Sequence, residues 1–158
     1  MYGHFTLALK YLRYFFTAAN GKGHGVHSPF VFEFITRVLN DNRRFYAFDA
    51  IEKIRTQLLS NHRLIEIQDF GAGSRVAKTN TRKISDVAKG SLKPAKYSQL
   101  LFRMIDYYGP TQIIELGTSL GITTAYLASA NPAAKVTTFE GSSAIAKIAG
   151  HNHGLLGL

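Results

Sequence analysis

One stretch of the chain constrains its fold more than any other. A β-branched, apolar run begins at Thr111 as TQIIELG, a turn lies between Gly117 and Gly121, and ITTAYLASA continues from Ile122 as an apolar helical segment. A second β-branched run, KVTTFE, begins at Lys135. Strand, glycine turn, helix and strand in this order predict a right-handed βαβ unit.

The same stretch carries the residue types that an adenosine-type ligand needs. Gly117 lets the backbone approach a ligand closely, and Gly121 lets the helix start close to the strand. Glu115 lies at the tip of the first predicted strand, and Glu140 lies 25 positions later at the tip of the second. An acid at about this distance accepts hydrogen bonds from ribose hydroxyls in dinucleotide-binding folds. The pattern therefore predicts an adenosine-type ligand.

These residues resemble a known family motif. ELGTSLGITTAYLA, from Glu115, resembles motif I of class I S-adenosylmethionine-dependent methyltransferases, in the variant found in catechol and caffeoyl-CoA O-methyltransferases. KYSQLLFRMIDYYGPTQIIELG, from Lys96, is similar to the helix that leads into the family's first strand, and VTTFEG, from Val136, to its second-strand motif. The resemblance covers about residues 91–149, and the first ninety residues match no motif as closely.

The resemblance implies roles for individual residues. Gly117 and Thr118 would contact the methionine moiety of S-adenosylmethionine, and Thr123 would bind its carboxylate. Glu115 would anchor the turn and contact the amino end, while Glu140 would hold the ribose. The residues expected to bind the cofactor are Glu115, Gly117, Thr118, Ser119, Gly121, Thr123 and Glu140. Ser91 or Leu92 is expected to border the site, and no catalytic residue or metal ligand is assigned.

The implied activity is methyl transfer from S-adenosylmethionine to an oxygen of a small-molecule acceptor. The family's later strands supply further contacts to adenine, metal and substrate, and the sequence ends at Leu158 before any such strand. We therefore expect a partial Rossmann-like methyltransferase core, with an inactive truncated form as one interpretation. We also expect a second copy or a partner chain to cover the open sheet edges, because exposed strand edges invite pairing.

Two alternatives stay open. An NAD-dependent oxidoreductase fragment would favour a G-x-G-x-x-G turn, whereas Thr118, Ser119 and Leu120 separate the two glycines here. A non-catalytic module that binds nucleotides or polyanions would use the formal net charge of +9. The cations are dispersed and lack interleaved aromatic residues, so nucleic acid is not the expected partner.

Residues 1–90 are expected to form a helical N-terminal extension with a glycine-rich loop, and residues 91–158 the front part of the cofactor domain. Helical spacing predicts one helix from about Gly3 to Ala19, and the loop NGKGHGVHSP follows from Asn20. Ser28 and Pro29 signal the cap and first turn of a helix through Leu39. Its predicted core face consists of Phe30, Phe34, Ile35 and Val38.

Three further elements are predicted outside the βαβ unit. A helix from about Asp49 to Leu59 would begin with a capping-box-like pair of Asp49 and Glu52. The segment LIEIQDFGAGSRV, from Leu64, predicts a short strand entering a loop. Its Asp69, Gly71 and Gly73 are a weaker candidate for a nucleotide loop, and a polar linker with a short helix near residues 84–88 would follow. A helix between Pro94 and Gly109 would pack through Tyr97, Leu100, Leu101, Met104 and Ile105.

Composition narrows the class of protein. The chain has no cysteine, which excludes disulfides, thiolate zinc sites and cysteine nucleophiles and fits a reducing compartment. No run approaches the roughly 18 uninterrupted apolar residues of a membrane span. We therefore expect a cytoplasmic protein without a membrane span.

Overall fold

The structure is a computed structural model that describes residues 4–17, 27–67 and 80–158. Helices and strands are mixed, as the sequence predicts for an α/β protein. Packing divides the chain into two compact units, Met1–Asn42 and Arg43–Leu158. The sequence-based boundary lies after residue 90 instead, and the second unit takes in residues 43–90 together with the βαβ segment.

The first unit contains α1 (His4–Thr17) and α2 (Pro29–Glu33), which continues as a π-helical segment, Phe34–Leu39. The predicted cap is confirmed, because Ser28 Oγ accepts a hydrogen bond from the Val31 N–H at 3.4 Å. The predicted core face is only partly right: Val38 is buried, but Phe30 is 62% exposed. A π-helical turn is wider than an α-helical one, so a stripe with a period of 3.6 does not continue across it.

The second unit begins with α3 (Phe48–Leu59), followed by a two-stranded antiparallel ribbon of β1 (Leu64–Glu66) and β2 (Thr81–Lys83). Next come α4 (Ile84–Ser91) and α5 (Ala95–Tyr108). The chain then forms β3 (Gln112–Leu116), α6 (Ile122–Ala130), β4 (Lys135–Phe139) and α7 (Ser143–Leu155). β3 and β4 pair in parallel, with Ile114 opposite Thr137. The predicted succession of strand, glycine turn, helix and strand is therefore confirmed.

The core of the second unit centres on an aromatic cluster. Phe102 of α5 lies edge-on to Phe48 of α3, with ring centroids 5.1 Å apart, and Tyr126 of α6 completes the cluster. The predicted buried face of α5 is only partly right: Ser98 and Phe102 are its fully buried residues, and Tyr97 is half exposed. The other predicted residues are partly buried, namely Leu100, Leu101, Met104 and Ile105. α5 packs against α6, and this contact sets which of its residues are buried.

The predicted capping box of α3 is also wrong. The helix begins at Phe48, so Asp49 already lies inside the first turn, and no side chain caps the helix. Asp49 pairs with Arg44 instead. The carboxylate of Glu52 accepts hydrogen bonds from Tyr126 and Arg55 rather than from the helix terminus. Burial of Phe48 in the aromatic cluster explains the early start.

The strand from Leu64 is confirmed as β1, and its partner β2 was not predicted. The sequence of β2, TRK, is polar and pairs through its backbone, so it carries little hydrophobic signal. The predicted helix near residues 84–88 is confirmed as α4. The candidate loop residues Asp69, Gly71 and Gly73 lie outside the described residues, as does most of the glycine-rich loop from Asn20. No helix within the described ranges combines the length and apolar character needed to cross a membrane.

One face of the β3–β4 sheet lies open, as two strands alone predict. Ile113 of β3 is buried, whereas Ile114 and Leu116 are 72% and 82% exposed. Phe139 lies opposite Leu116 in the ladder and is also exposed. Because successive side chains of a strand point to opposite faces, these three apolar side chains mark the uncovered side of the sheet.

Candidate functional site

The turn between β3 and α6 has an unusual backbone. The φ angles of Gly117, Ser119 and Gly121 are +92°, +50° and +81°. Glycine adopts such angles readily, but a residue with a side chain pays about 1–3 kcal/mol for them. Ser119 therefore needs surrounding contacts that hold it in place.

Glu140 supplies such a contact. Its Oε2 accepts a hydrogen bond from the Ser119 N–H at 2.8 Å, and its Oε1 accepts one from the Ser142 N–H at 2.9 Å. The Ser119 hydroxyl also donates to Ser91 Oγ at 2.8 Å. Glu140, predicted to hold a ribose, thus joins the strained turn to the start of α7.

The two turn glycines face different surroundings. A side chain at Gly117 would meet nothing within 4 Å, so the backbone there lies open. A Cβ at Gly121 would lie 2.5 Å from His153 Nε2 and 3.1 Å from the Ala149 Cβ. The sequence predicts that Gly121 lets α6 start close to β3, whereas the element that comes near Gly121 is α7.

Helix α7 supports the turn through two side chains. The buried Asn152 donates from Nδ2 to the Leu120 carbonyl at 2.9 Å. His153 Nε2 lies 3.0 Å from the Gly121 carbonyl oxygen and, as the protonated ring nitrogen, would donate to it. His153 lies outside the resembled motif, yet it contacts the backbone of the candidate site.

Glu115 is the centre of a hydroxyl network rather than a free carboxylate. Its Oε2 accepts hydrogen bonds from Thr124 Oγ1 and from Thr138 Oγ1, the latter at 2.8 Å. The Thr118 and Thr138 hydroxyl oxygens are 2.6 Å apart. Because Thr138 gives its single proton to Glu115, Thr118 donates in this pair and keeps only acceptor capacity for a ligand.

A cavity of about 290 Å³ opens beside the turn. Among the predicted residues, those that line it are Glu115, Gly117, Thr118, Ser119 and Thr123, whereas Gly121 and Glu140 do not. Ser91 and Leu92 border the cavity, as expected. Leu101, Ile113 and Leu127 supply an apolar wall. The structure therefore brings most of the predicted residues to one concave surface with both polar and apolar sides.

Sequence reasoning missed two cations near the cavity. Lys93 lines it, and Arg55 holds the Lys93 carbonyl oxygen through Nη1 at 2.6 Å. Arg55 is only 8% exposed, and its Nε donates to Glu52 Oε1 at 2.9 Å. A signal for Arg55 does exist in the sequence, because it stands four residues after Ile51 and three before Leu58, within the apolar stripe of α3.

Tyr126 forms a further polar contact within the second unit. Its hydroxyl donates to Glu52 Oε1 at 2.7 Å. Burial and this hydrogen bond raise the pKa of Tyr126 above that of a free phenol. The phenol therefore stays protonated in the folded chain and links α6 to α3.

The comparisons with known proteins add no relative to this geometry. Searches against protein-family models, curated proteins and solved structures find nothing that matches the chain.

Proposed function

We propose that the chain binds S-adenosylmethionine at the β3–α6 turn, within a Rossmann-like methyltransferase core. The observation that carries this proposal is the left-handed turn, which ends a parallel strand and opens on a cavity of about 290 Å³. Ligands of open α/β sheets bind at the carboxyl ends of parallel strands. This cavity lies at that end of β3.

The residues present fit such a cofactor. The open space at Gly117 allows a ligand to reach the backbone, and Thr118 can accept a hydrogen bond from the amino group of the methionine moiety. The Thr123 hydroxyl would donate to the carboxylate, and Lys93 adds a positive charge to the same wall. Together these side chains would orient both charged ends of an amino acid.

Glu140 can bind the ribose of the cofactor while it keeps its hydrogen bonds to the turn. Each of its oxygens accepts one backbone N–H, and an ionised carboxylate has about four acceptor positions. Two positions therefore stay available for ribose hydroxyls. In this arrangement one carboxylate would fix the strained turn and the sugar together.

The proposed reaction is O-methylation of a small molecule. The cofactor supplies an electrophilic methyl group on its sulfonium, and the chain's contribution is to hold that group and the acceptor oxygen in line. The cavity-lining residues proposed above bind and orient, and none is assigned as a base. The acceptor is proposed only as a small molecule that bears a hydroxyl.

Isothermal titration with S-adenosylmethionine and with S-adenosylhomocysteine tests the proposal, with folding checked by circular dichroism. We expect saturable binding of both, and Thr123→Val should weaken it. Thr137→Val is the matched control, because Thr137 lies on β4 and does not line the cavity. A folded chain that binds neither compound contradicts the proposal.

The same titrations separate the alternatives. Competition by NAD would favour an oxidoreductase fragment. Steeply salt-dependent binding of a generic RNA, with no response to S-adenosylmethionine, would favour a polyanion-binding module.

Glu140→Ala should reduce the affinity for S-adenosylmethionine by about 1–3 kcal/mol, because hydrogen bonds to the ribose are lost. The change also frees the N–H groups of Ser119 and Ser142, so the free energy of unfolding must be measured alongside binding. Unchanged affinity in a folded variant would remove Glu140 from the ligand site and leave it a purely structural residue.

A further inference from the structure

A second cavity, of about 550 Å³, lies between α3, β1, α4 and α7 and shares no lining residue with the first. Its volume falls within the range of about 300–1,000 Å³ that is typical of small-molecule sites. The buried side chains of Ile54, Leu58, Ile84 and Ile148 form its apolar wall. A ligand here would therefore need a hydrophobic body.

The rim of this cavity is basic. Arg63 precedes β1, and Lys147 and His151 lie one helical turn apart on α7. Among the described residues no carboxylate lines the cavity, and neither Arg63 nor Lys147 forms an ion pair. Cations at the rim of an apolar cavity attract an anion, since no described carboxylate pairs with them.

We propose that this cavity binds an amphipathic anion, with a carboxylate or phosphate head at Arg63 and Lys147 and a hydrocarbon body against the isoleucine and leucine wall. The apolar wall gives a small inorganic anion little to bind, and the cationic rim gives a neutral hydrocarbon no advantage. The two features together select a molecule that has both parts.

Calorimetric titration of the full chain with decanoate, decyl phosphate, decanol and inorganic phosphate tests the proposal. We expect saturable binding of decanoate, of decyl phosphate or of both, with affinity that falls as salt is raised. The relative affinities of the two amphiphiles identify the preferred head group. Decanol that binds as tightly as the charged amphiphiles, or the absence of saturable binding by either, would overturn the proposal.

Charge-reversal variants locate the site. Arg63→Glu with Lys147→Glu should weaken binding by about tenfold or more, because attraction becomes repulsion at the rim. Lys53→Glu with Lys89→Glu is the matched control, since both lysines are exposed on α3 and α4 but do not line the cavity. Equal weakening by the two pairs would show a general charge effect and refute the assignment.

Two further variants keep the test decisive if charge reversal impairs folding. Arg63→Ala with Lys147→Ala removes the attraction without adding repulsion. Ala144→Trp places a large side chain into the cavity from the first turn of α7 and should abolish binding. Undiminished binding by a folded Ala144→Trp chain would place the ligand elsewhere. Titration with S-adenosylmethionine reports separately on the first cavity.

Discussion

Gly117 and Gly121 share left-handed φ angles but differ in what their missing side chains permit. At Gly117 the space stays open, which suits a ligand. At Gly121 the space is occupied by α7, which suits a tightly packed support. The two glycines look like one binding motif in the sequence, but only Gly117 leaves space for a ligand, whereas Gly121 leaves space for α7.

Gly121→Ala should lower the free energy of unfolding by about 2–4 kcal/mol, from left-handed strain and the contact with His153 and Ala149. Gly150→Ala is the control within α7, where an added Cβ meets nothing within 4 Å, and should stabilise by about 0.5–1 kcal/mol. Urea unfolding measures both. Similar effects for the two changes would contradict the packing at Gly121.

Tyr126→Phe should lower the free energy of unfolding by about 1 kcal/mol at pH 8, where the hydrogen bond to Glu52 is intact. The native pKa is raised, so above about pH 10 the unfolded chain loses the phenol proton while the folded chain keeps it. Wild-type stability then falls with rising pH. Urea unfolding from pH 8 to 11 should show that the difference in free energy of unfolding between wild type and variant becomes smaller. A difference that stays constant would contradict the raised pKa of Tyr126.

At the scale of elements, Arg55 connects α3 to the loop before α5. Its guanidinium pairs with Glu52 and holds the Lys93 carbonyl oxygen, and Lys93 lines the first cavity. The position of the cavity rim therefore depends on a residue of another element, far from it in sequence.

Arg55→Met should lower the free energy of unfolding by about 2–3 kcal/mol, since it removes the cation paired with Glu52 and the side-chain donor to the Lys93 carbonyl oxygen. Lys53→Met, at an exposed position of the same helix, should change it by no more than about 0.5 kcal/mol. Denaturant titration measures the free energy of unfolding of both variants. Equal losses would show that the buried contacts of Arg55 do not stabilise the fold.

The elements that sequence predicted well are those with a local signal. The strand at Gln112, the turn at Gly117 and the helix at Ile122 each follow from nearby residue types. The fully buried residues of α5, Ser98 and Phe102, were not predicted, because contact with α6 rather than periodicity alone selects them. The cap of α3 was missed for a similar reason, since Asp49 and Glu52 have tertiary partners.

The same distinction applies to the candidate site. Thr118, Ser119 and Thr123 belong to one continuous motif, and the structure places them on one cavity wall. Lys93 reaches that wall from a different element, where no local pattern marks it. Which polar groups converge across a cavity depends on packing, so beyond the contiguous motif the sequence predicted only Ser91 or Leu92 at the border and not Lys93.

At the scale of the whole molecule, the outer edge of β3 is a free strand edge of the second unit. Two hydrogen bonds flank the paired strands, from Lys135 N to Thr111 O and from Gly117 N to Phe139 O. They show that the backbone groups of the odd-numbered residues of β3 point toward β4. The backbone groups of Gln112, Ile114 and Leu116 therefore point away from it, and none has a partner among the described residues. Such an edge can pair with another strand.

We expect the chain to self-associate through this edge, with Ile114 opposite its counterpart in an antiparallel pair of β3 strands. Sedimentation velocity across a range of concentrations should detect the dimer, and Ile114→Lys with Leu116→Lys should yield a monomer, because inserted charges oppose edge pairing. Leu64→Lys is the control, since Leu64 is also exposed but lies on β1 in the other sheet. A wild-type chain that stays monomeric at every concentration, or an association that survives both β3 substitutions, would show that this edge does not pair with its own copy.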